Sequence, residues 1–314
     1  MSSIFHYTDS VGLLGILSSR SLFATDYRYL NDATEGSMIQ DLIMPVLESE
    51  IAEIMPKLVS ARLVEGYYEF HGVSGHRSQA EGFYRSMVNV INDVSPLFVL
   101  SFCRHEEGSQ PFQHGLLSQW RAYAGSSGGF AIELDEDKLD DLMKRETELF
   151  AYGGFRTSDV RYEKYHELFD SKMYKGVAGE MIRKLFEPRD VSQFTGRKDF
   201  DRVVIDFVNT APFLKHNGFQ EEREYRICAA CIRRPQIPKE IKKHAKEIKF
   251  RTRNSGITPY IELGKGLVPS LPLKAIIVGP HPFQDRQTES VKLALEEAHF
   301  PNVQVRASAI PYRV

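Results

Sequence analysis

The chain has 314 residues, of which 42% are hydrophobic and 11% aromatic, enough to bury the core of one large domain or two small ones. Its 40 basic residues nearly balance 42 acidic ones, so no overall charge favours nucleic acid or an anionic membrane. The first residues lack the basic and apolar segments of a secretory signal, and no apolar run approaches the roughly 18 residues that a membrane span needs. We therefore expect a cytoplasmic protein with no membrane partner.

Strands are predicted in both outer parts of the chain, with helices inserted between them. Asp9 or Ser10 can cap a first helix whose apolar positions lie between 11 and 17. Further helical patterns occupy about 34–58, where we expect Pro45 to kink or divide the helix, and 78–92. The remaining predicted elements are strands at about 96–102, 130–134, 225–232, 260–263, 275–278 and 303–306, and helices at about 116–123, 163–186, 200–216 and 285–299. This order predicts a single α+β domain with helical inserts at about 34–94 and 163–217.

Three cysteines, Cys103, Cys228 and Cys231, are an odd number for a disulfide framework and indicate a reducing compartment. The spacing of Cys228 and Cys231 also occurs in redox and zinc sites. In a strand, however, these two side chains point to opposite faces, and the chain has no second pair of cysteines. We therefore predict buried structural thiols and no metal site.

Two short segments carry side chains suited to a nucleotide. Trp120, Arg121 and Tyr123 lie within one and a half helical turns. A core tryptophan beside a surface arginine is the ordinary interpretation, but Arg121 can instead hold a phosphate while the aromatic rings offer a stacking surface. His6, in a short apolar strand, is by default a buried and hydrogen-bonded histidine.

Charged residues alternate at 221–226, just as an apolar strand begins. The alternation predicts that Glu222, Glu224 and Arg226 share one polar face, either as a functional surface or as a solvated edge strand.

A basic run at 239–253 is an ordinary solvated face or a local nucleic-acid contact. The glycine-rich segment 125–129 leads from a helix into a strand, so a connecting turn is favoured over a phosphate loop.

The order of these motifs resembles the bacterial domain-of-unknown-function family numbered 2971. More distantly, it is similar to the branch of the ADP-ribosyltransferase superfamily that uses a His, Tyr, Glu triad on a split, strongly bent sheet. In that pattern a histidine on the first strand precedes a short helix, a tyrosine lies in a helix between two strands, and a glutamate begins a late strand. The positions that match in this chain are His6, Tyr123 and Glu224, with Glu222 as the alternative glutamate.

The resemblance implies a function and a role for each residue. NAD would be the substrate, and its ADP-ribosyl group would pass to an unknown protein or nucleic-acid acceptor, as in a bacterial toxin or defence effector. Glu224 would stabilise the oxocarbenium character that develops on the ribose. His6 would bind the adenosine ribose, Tyr123 would stack on nicotinamide, and Thr8 or Arg121 would help seat the cofactor. The other expected cofactor-binding residues are Tyr7 and Trp120.

Two other functions fit the same residues. With water as the acceptor, the enzyme would be an NAD hydrolase. Without turnover, the chain would be a module that senses a nucleotide or a regulatory partner.

Overall fold

The computed structural model of the protein describes residues 3–30, 34–62, 75–123, 128–162, 209–233, 243–253 and 256–311. The chain divides into two compact units, one formed by 1–29, 98–160 and 218–314 and the other by 30–97 and 161–217. The described helices are α1 (Ser10–Ser19), α2 (Thr34–Ser60), α3 (Gly75–Val94), α4 (Gln110–His114), α5 (Leu117–Tyr123), α6 (Glu136–Leu149) and α7 (Gln284–Glu297).

The first unit is built on a large mixed β-sheet. Its described strands are β1 (Ser3–Asp9), β2 (Leu22–Asp26), β3 (Leu97–Arg104), β4 (Gly129–Asp135), β5 (Tyr152–Asp159), β6 (Glu224–Cys231), β7 (Lys249–Arg253), β8 (Gly256–Leu263), β9 (Leu273–Val278) and β10 (Gln304–Ala307). The main path runs β10-β9-β4-β1-β3-β2-β8-β7, while β6 pairs with β3 and β5. Strand β10 is parallel to β9, whereas β1, β4 and β9 pair antiparallel.

Alternation along the strands produces a separate core on each face of this sheet. On one face Ile4, Phe102 and Ile132 pack with Leu13 of α1 and Leu139 of α6 in the main core. The opposite face carries a second core, whose buried members are Phe5, Tyr7, Cys103, Trp120, Ala131 and Ile277. Strand β1 therefore contributes to both cores, because its consecutive side chains point to opposite sides.

Local capping fixes where α1 begins and ends. The Asp9 side chain accepts a hydrogen bond from the Gly12 amide at 2.7 Å, which satisfies one of the free amides of the first turn. Arg20 ends the helix in the left-handed conformation, with φ 51°. The cap places the C-terminal end of β1 directly against the start of α1.

The second unit is helical in its described part. Along α2, Ile43, Leu47, Ile51 and Ile54 recur at helical spacing and are buried. Helix α2 packs against α3. The expected inserts at 34–94 and 163–217 fall within this unit, although most of the second one lies outside the described residues.

The structure confirms a mixed α and β fold and most of the predicted elements. Helix α2 runs through Pro45 as one helix; Pro45 was predicted to kink or divide it, and the division is wrong. Residues 211–213 and 217–222 form short 3-10 turns, which corrects the helix predicted to reach position 216. Strands β5 and β7 and helix α6 were not predicted. The glycine-rich segment 125–129 and the helix at 163–186 lie wholly or mainly outside the described residues.

No described helix is both long enough and apolar enough to cross a membrane.

Gly115 joins α4 to α5 and should not tolerate a side chain. Its φ is 77°, and an added Cβ would collide with the ring of Trp120. We expect Gly115→Ala to lower the free energy of unfolding by about 1–3 kcal/mol, through backbone strain and displacement of a core ring. Chemical denaturation measures this difference. The control is Gly82→Ala in α3, where nothing lies within 4 Å of the new Cβ and a gain of about 0.5–1 kcal/mol is expected. Equal effects of the two substitutions would contradict this prediction.

Candidate functional site

Strand β3 pairs with β1 and β2 at different ends, and it also pairs with β6. Its C-terminal end pairs with β1 at Cys103 and Arg104, and its N-terminal end pairs with β2 at Phe98 and Val99. The Ser101 carbonyl lies between these two pairings and forms a hydrogen bond with Nδ1 of His6 at 2.9 Å. The imidazole of His6 therefore takes a main-chain acceptor at the point where the described pairing of β1 with β3 ends.

Burial sets the protonation of His6, and this hydrogen bond fixes its tautomer. The pKa of His6 falls from 6.5 to about 4: burial is the main cause, the bond to Ser101 opposes it, and the charges of Arg251 and Arg253 add to it. The ring is therefore neutral at pH 7. A carbonyl only accepts, so Nδ1 carries the proton and Nε2 presents a lone pair. Within the described residues Nε2 has no hydrogen-bond partner, so it is available to a donor on a ligand.

Two arginines of β7 lie close enough to act on His6. Arg251 donates from Nη2 to Oγ1 of Thr25 at 2.7 Å, and its guanidinium lies over the rings of Phe23 and Tyr260, at 5.5 and 5.2 Å. The Nε of Arg251 is buried and has no partner in the described part of the chain. Neither Arg251 nor Arg253 forms a salt bridge within the ranges that the structure describes.

Burial and mutual repulsion make the positive charge of these arginines costly. Burial lowers the pKa of Arg251 to about 10, and the charge of Arg253 lowers it further, whereas Tyr260 and Asp9 oppose the shift. The pKa of Arg253 is lowered by burial, against the effect of Tyr123 and Asp9. The nearest opposing acid, Asp9, also accepts from the Gly12 amide as the cap of α1.

The structure thus gathers residues from three elements at the C-terminal end of β1. We call them the His6 cluster: His6, Asp9, Tyr123, Arg251 and Arg253. Tyr123 is 39% exposed at the end of α5, which leaves part of its ring accessible. Thr8 is half-buried beside the cluster. Position 12 requires glycine, because an added Cβ would collide with the Thr8 hydroxyl.

The other aromatic residues predicted to bind a cofactor lie in the interior. The Tyr7 hydroxyl accepts from the Leu116 amide at 2.8 Å and lies 2.8 Å from Nε2 of His105. Burial raises the pKa of Tyr7 and lowers that of His105 to about 4, so the hydroxyl donates to a neutral ring. Trp120 is 1% exposed and donates from Nε1 to the His114 carbonyl at 3.1 Å. Tyr7 and the Trp120 side chain of α5 are buried in the second core, whereas Arg121 is exposed on the surface of the helix.

Glu224 is held in a buried ion pair with Arg226. Their side chains are 5% and 2% exposed, and two hydrogen bonds of 2.8 and 2.9 Å join the guanidinium to both carboxylate oxygens. The predicted solvated edge strand is therefore wrong. Glu224 and Arg226 lie on the face of β6 opposite to Tyr225 and Ile227, which belong to the main core.

Glu222 does not share this face, which corrects the predicted alternation through 222–226. It ends a 3-10 turn, and β6 begins only at Glu224. Between them, Arg223 adopts φ 43°, a left-handed conformation that is uncommon for a residue with a side chain. The alternation therefore starts after Arg223, a break that charge patterning alone does not reveal.

The basic run at 239–253 is not a continuous solvated face. Lys246 pairs with the buried Glu146, and Lys249 pairs with Glu262 at 2.7 Å. Lys243 donates to the Thr147 carbonyl at 2.6 Å, whereas positions 239 and 242 lie outside the described residues. The described lysines therefore serve internal contacts. In the part of the run that forms β7, only the arginines are without a carboxylate, and strand alternation would have identified them as neighbours on one face.

The three cysteines are free and buried, as predicted for structural thiols.

Comparison with known proteins reaches only part of the chain. The model of a family described as "Protein of unknown function (DUF2971)" matches residues 119–227. This range supports the predicted resemblance to that family and includes Trp120, Arg121, Tyr123 and Glu224. His6, Arg251 and Arg253 lie outside it. No curated protein and no solved structure matches the chain significantly.

The buried pair of Glu224 and Arg226 should make single substitutions costly. We expect Glu224→Gln to lower the free energy of unfolding by about 3–5 kcal/mol, because it removes the carboxylate charge that pairs with the buried Arg226 guanidinium. The double variant with Arg226→Met removes both charges and should recover part of this loss. Urea denaturation measures both values, and a double variant no more stable than Glu224→Gln would contradict this prediction.

The neutral His6 should make the fold sensitive to acid. Its pKa is depressed in the folded state and near 6.5 in the unfolded chain, so the unfolded chain binds more protons between pH 6.5 and about 4. Stability should therefore fall as the pH falls through this window, by at most about 3 kcal/mol for His6. In His6→Gln, which keeps a donor for Ser101, the fall should be smaller.

Denaturant titrations between pH 7 and 4 measure this loss. His105, whose pKa is lowered in the same way, adds a slope that both proteins share. The control is His299→Asn, which replaces an exposed histidine in a left-handed position that asparagine tolerates. If the free energy of unfolding falls equally with pH in wild type and His6→Gln, protonation of His6 does not destabilise the fold.

Proposed function

We propose that the protein binds NAD at the His6 cluster and transfers its ADP-ribosyl group to a macromolecular acceptor. The observation that carries this proposal is the neutral His6 ring, whose Nε2 lone pair is available beside the partly exposed Tyr123 and two arginines. Such a lone pair suits a hydroxyl of ribose as donor, and the Tyr123 ring suits stacking on nicotinamide. The resemblance to ADP-ribosyltransferases of the His, Tyr, Glu type supports the same assignment.

The reaction requires a carboxylate near the ribose carbon. As the bond between this carbon and the nicotinamide nitrogen breaks, nicotinamide leaves with the electron pair, and positive charge develops on the sugar. The acceptor nucleophile then attacks this carbon and loses its proton to solvent. In the proposal Glu224 supplies the carboxylate, and its bidentate pair with Arg226 keeps it ionised and fixed. Asp9 is the second carboxylate to test, because it acts on both arginines of the cluster.

Release of nicotinamide from NAD tests this function. We expect wild type to release nicotinamide in the presence of a protein or nucleic-acid extract, and Glu224→Gln to be slower by about 100-fold or more. His6→Gln should weaken NAD binding by roughly tenfold, the value of one lost hydrogen bond. The control His299→Asn should behave as wild type. Equal rates in wild type and Glu224→Gln, with Asp9→Asn inactive, would assign the carboxylate to Asp9.

The folded state of each variant must be compared, because Glu224→Gln is expected to be destabilised. Rates should therefore be measured below the unfolding transition, with the Glu224→Gln and Arg226→Met double variant as a second inactive form. If the double variant is folded and releases nicotinamide as fast as wild type, and Asp9→Asn does too, the proposed transferase is wrong.

The alternatives differ from the transferase in measurable products. Release without any acceptor, with free ADP-ribose as the product, identifies an NAD hydrolase. Calorimetric binding of NAD with no release identifies a nucleotide-sensing module.

A further inference from the structure

We infer that Arg251 and Arg253 form a binding site for the diphosphate group of a dinucleotide. This inference rests on the proposed function for the identity of the dinucleotide, but its anion chemistry rests on β7 alone. The two residues are separated by one position on the strand, so their side chains emerge on the same face, about 6.6 Å apart along the chain. This spacing lets two guanidinium groups contact adjacent phosphates of one ligand.

Neither Arg251 nor Arg253 pairs with a carboxylate of the described residues. Three other cations of the first unit, buried or partly buried, have carboxylate partners: Lys246 pairs with Glu146, Arg306 with Glu133 at 2.7 Å and Arg226 with Glu224 at 2.8 Å. Arg251 is also partly buried, yet its described contacts are a hydroxyl and two rings. A desolvated positive charge without an anion is unfavourable, and a second positive charge beside it adds repulsion. A ligand with two negative charges would relieve both costs.

One donor of the Arg251 guanidinium has no acceptor within the described residues. Its Nε–H is buried and unpartnered within the described residues, while Nη2 is held by Thr25. Contacts with Phe23 and Tyr260 fix the plane of the guanidinium, which suits the planar, bidentate recognition of phosphate oxygens. Leaving a buried donor unpaired is costly, so a phosphate acceptor explains why the donor is retained.

Arg251 and Arg253 also belong to the same cluster as His6 and Tyr123. Both arginines act electrostatically on His6, and Arg253 also acts on Tyr123. In the proposed site, a ligand whose phosphates lie on β7 would contact Nε2 of His6 with a ribose hydroxyl and Tyr123 with an aromatic ring. A dinucleotide has these groups on either side of its diphosphate.

Calorimetric titration with inorganic pyrophosphate tests the site without any turnover. We expect wild type to bind pyrophosphate, and to bind it more tightly than orthophosphate. Arg251→Gln and Arg253→Gln should each weaken binding by about 10- to 100-fold, the value of charge-assisted hydrogen bonds. Arg251→Lys, which keeps the charge but loses the planar fork, should fall between wild type and Arg251→Gln. The control Arg286→Gln removes one exposed positive charge from α7 and should change nothing.

Several outcomes would overturn the inference. Pyrophosphate that binds equally to wild type and both glutamine variants, or that does not bind wild type, excludes the site. An oligonucleotide that binds wild type when pyrophosphate does not would assign the arginines to a polymer backbone instead. Arg253→Gln is the decisive variant if Arg251→Gln fails to fold, because Arg253 is more exposed than Arg251.

The two proposals fail in different ways. If pyrophosphate binding depends on both arginines but no nicotinamide is released, the diphosphate site stands and the transferase function fails. If nicotinamide is released and its rate does not depend on Arg251 or Arg253, the function stands and the diphosphate site fails.

Discussion

The hydrogen bond between His6 and the Ser101 carbonyl is the interaction on which the site depends. It joins a side chain of β1 to the main chain of β3 at the point where the described pairing of the two strands ends. One consequence is structural, because the carbonyl is satisfied while β1 continues toward α1. The other is chemical, because the bond fixes the tautomer and leaves Nε2 as an acceptor. Burial keeps the ring neutral, and protonation would in addition introduce a third positive charge beside Arg251 and Arg253.

Electrostatics separates the interior ion pairs from the His6 cluster. Glu146, Glu133 and Glu224 are buried carboxylates, each paired with a cation; the pairs of Glu146 with Lys246 and of Glu133 with Arg306 join distant segments of the first unit, whereas Glu224 and Arg226 pair within β6. Breaking such a pair costs far more than forming it gains, so these pairs specify the fold. In the His6 cluster the described positive charge exceeds the negative charge, because one carboxylate, Asp9, acts on two arginines. An excess of desolvated positive charge is typical of a surface that a ligand completes.

Periodicity was sufficient to predict most of the regular structure. The stripe of α2 and the apolar runs of β3, β4 and β9 follow directly from side-chain alternation and helical spacing, and the cap at Asp9 follows from its residue type. Strand β7 was missed because its alternation is between charged residues and one exposed phenylalanine, which resembles a solvated basic run. The alternation expected through Glu222 failed because Arg223 adopts a left-handed conformation, which has no signature in a single sequence.

The site itself was only partly accessible to sequence reasoning. His6 and Tyr123 were identified from their order along the chain, and both are members of the cluster. Tyr7 and Trp120 were grouped with them because they are adjacent in sequence, but alternation and burial place them beneath the surface. Arg251 and Arg253 were assigned to a different function, since their proximity to His6 depends on long-range pairing of β2 with β8 and of β8 with β7. Contacts between segments more than 200 residues apart cannot be read from local patterns.

A crystal soaked with ADP-ribose would test the central claim most directly, because one electron-density map locates the diphosphate and the ribose groups at once. The account predicts the diphosphate within hydrogen-bond distance of Arg251 and Arg253, with a ribose hydroxyl donating to Nε2 of His6. Density elsewhere would contradict it, for example in the cavity of about 560 Å³ lined by Lys138, Arg145 and Lys274. Density at β7 that leaves His6 without a ligand contact would retain the anion site and remove His6 from the proposed mechanism.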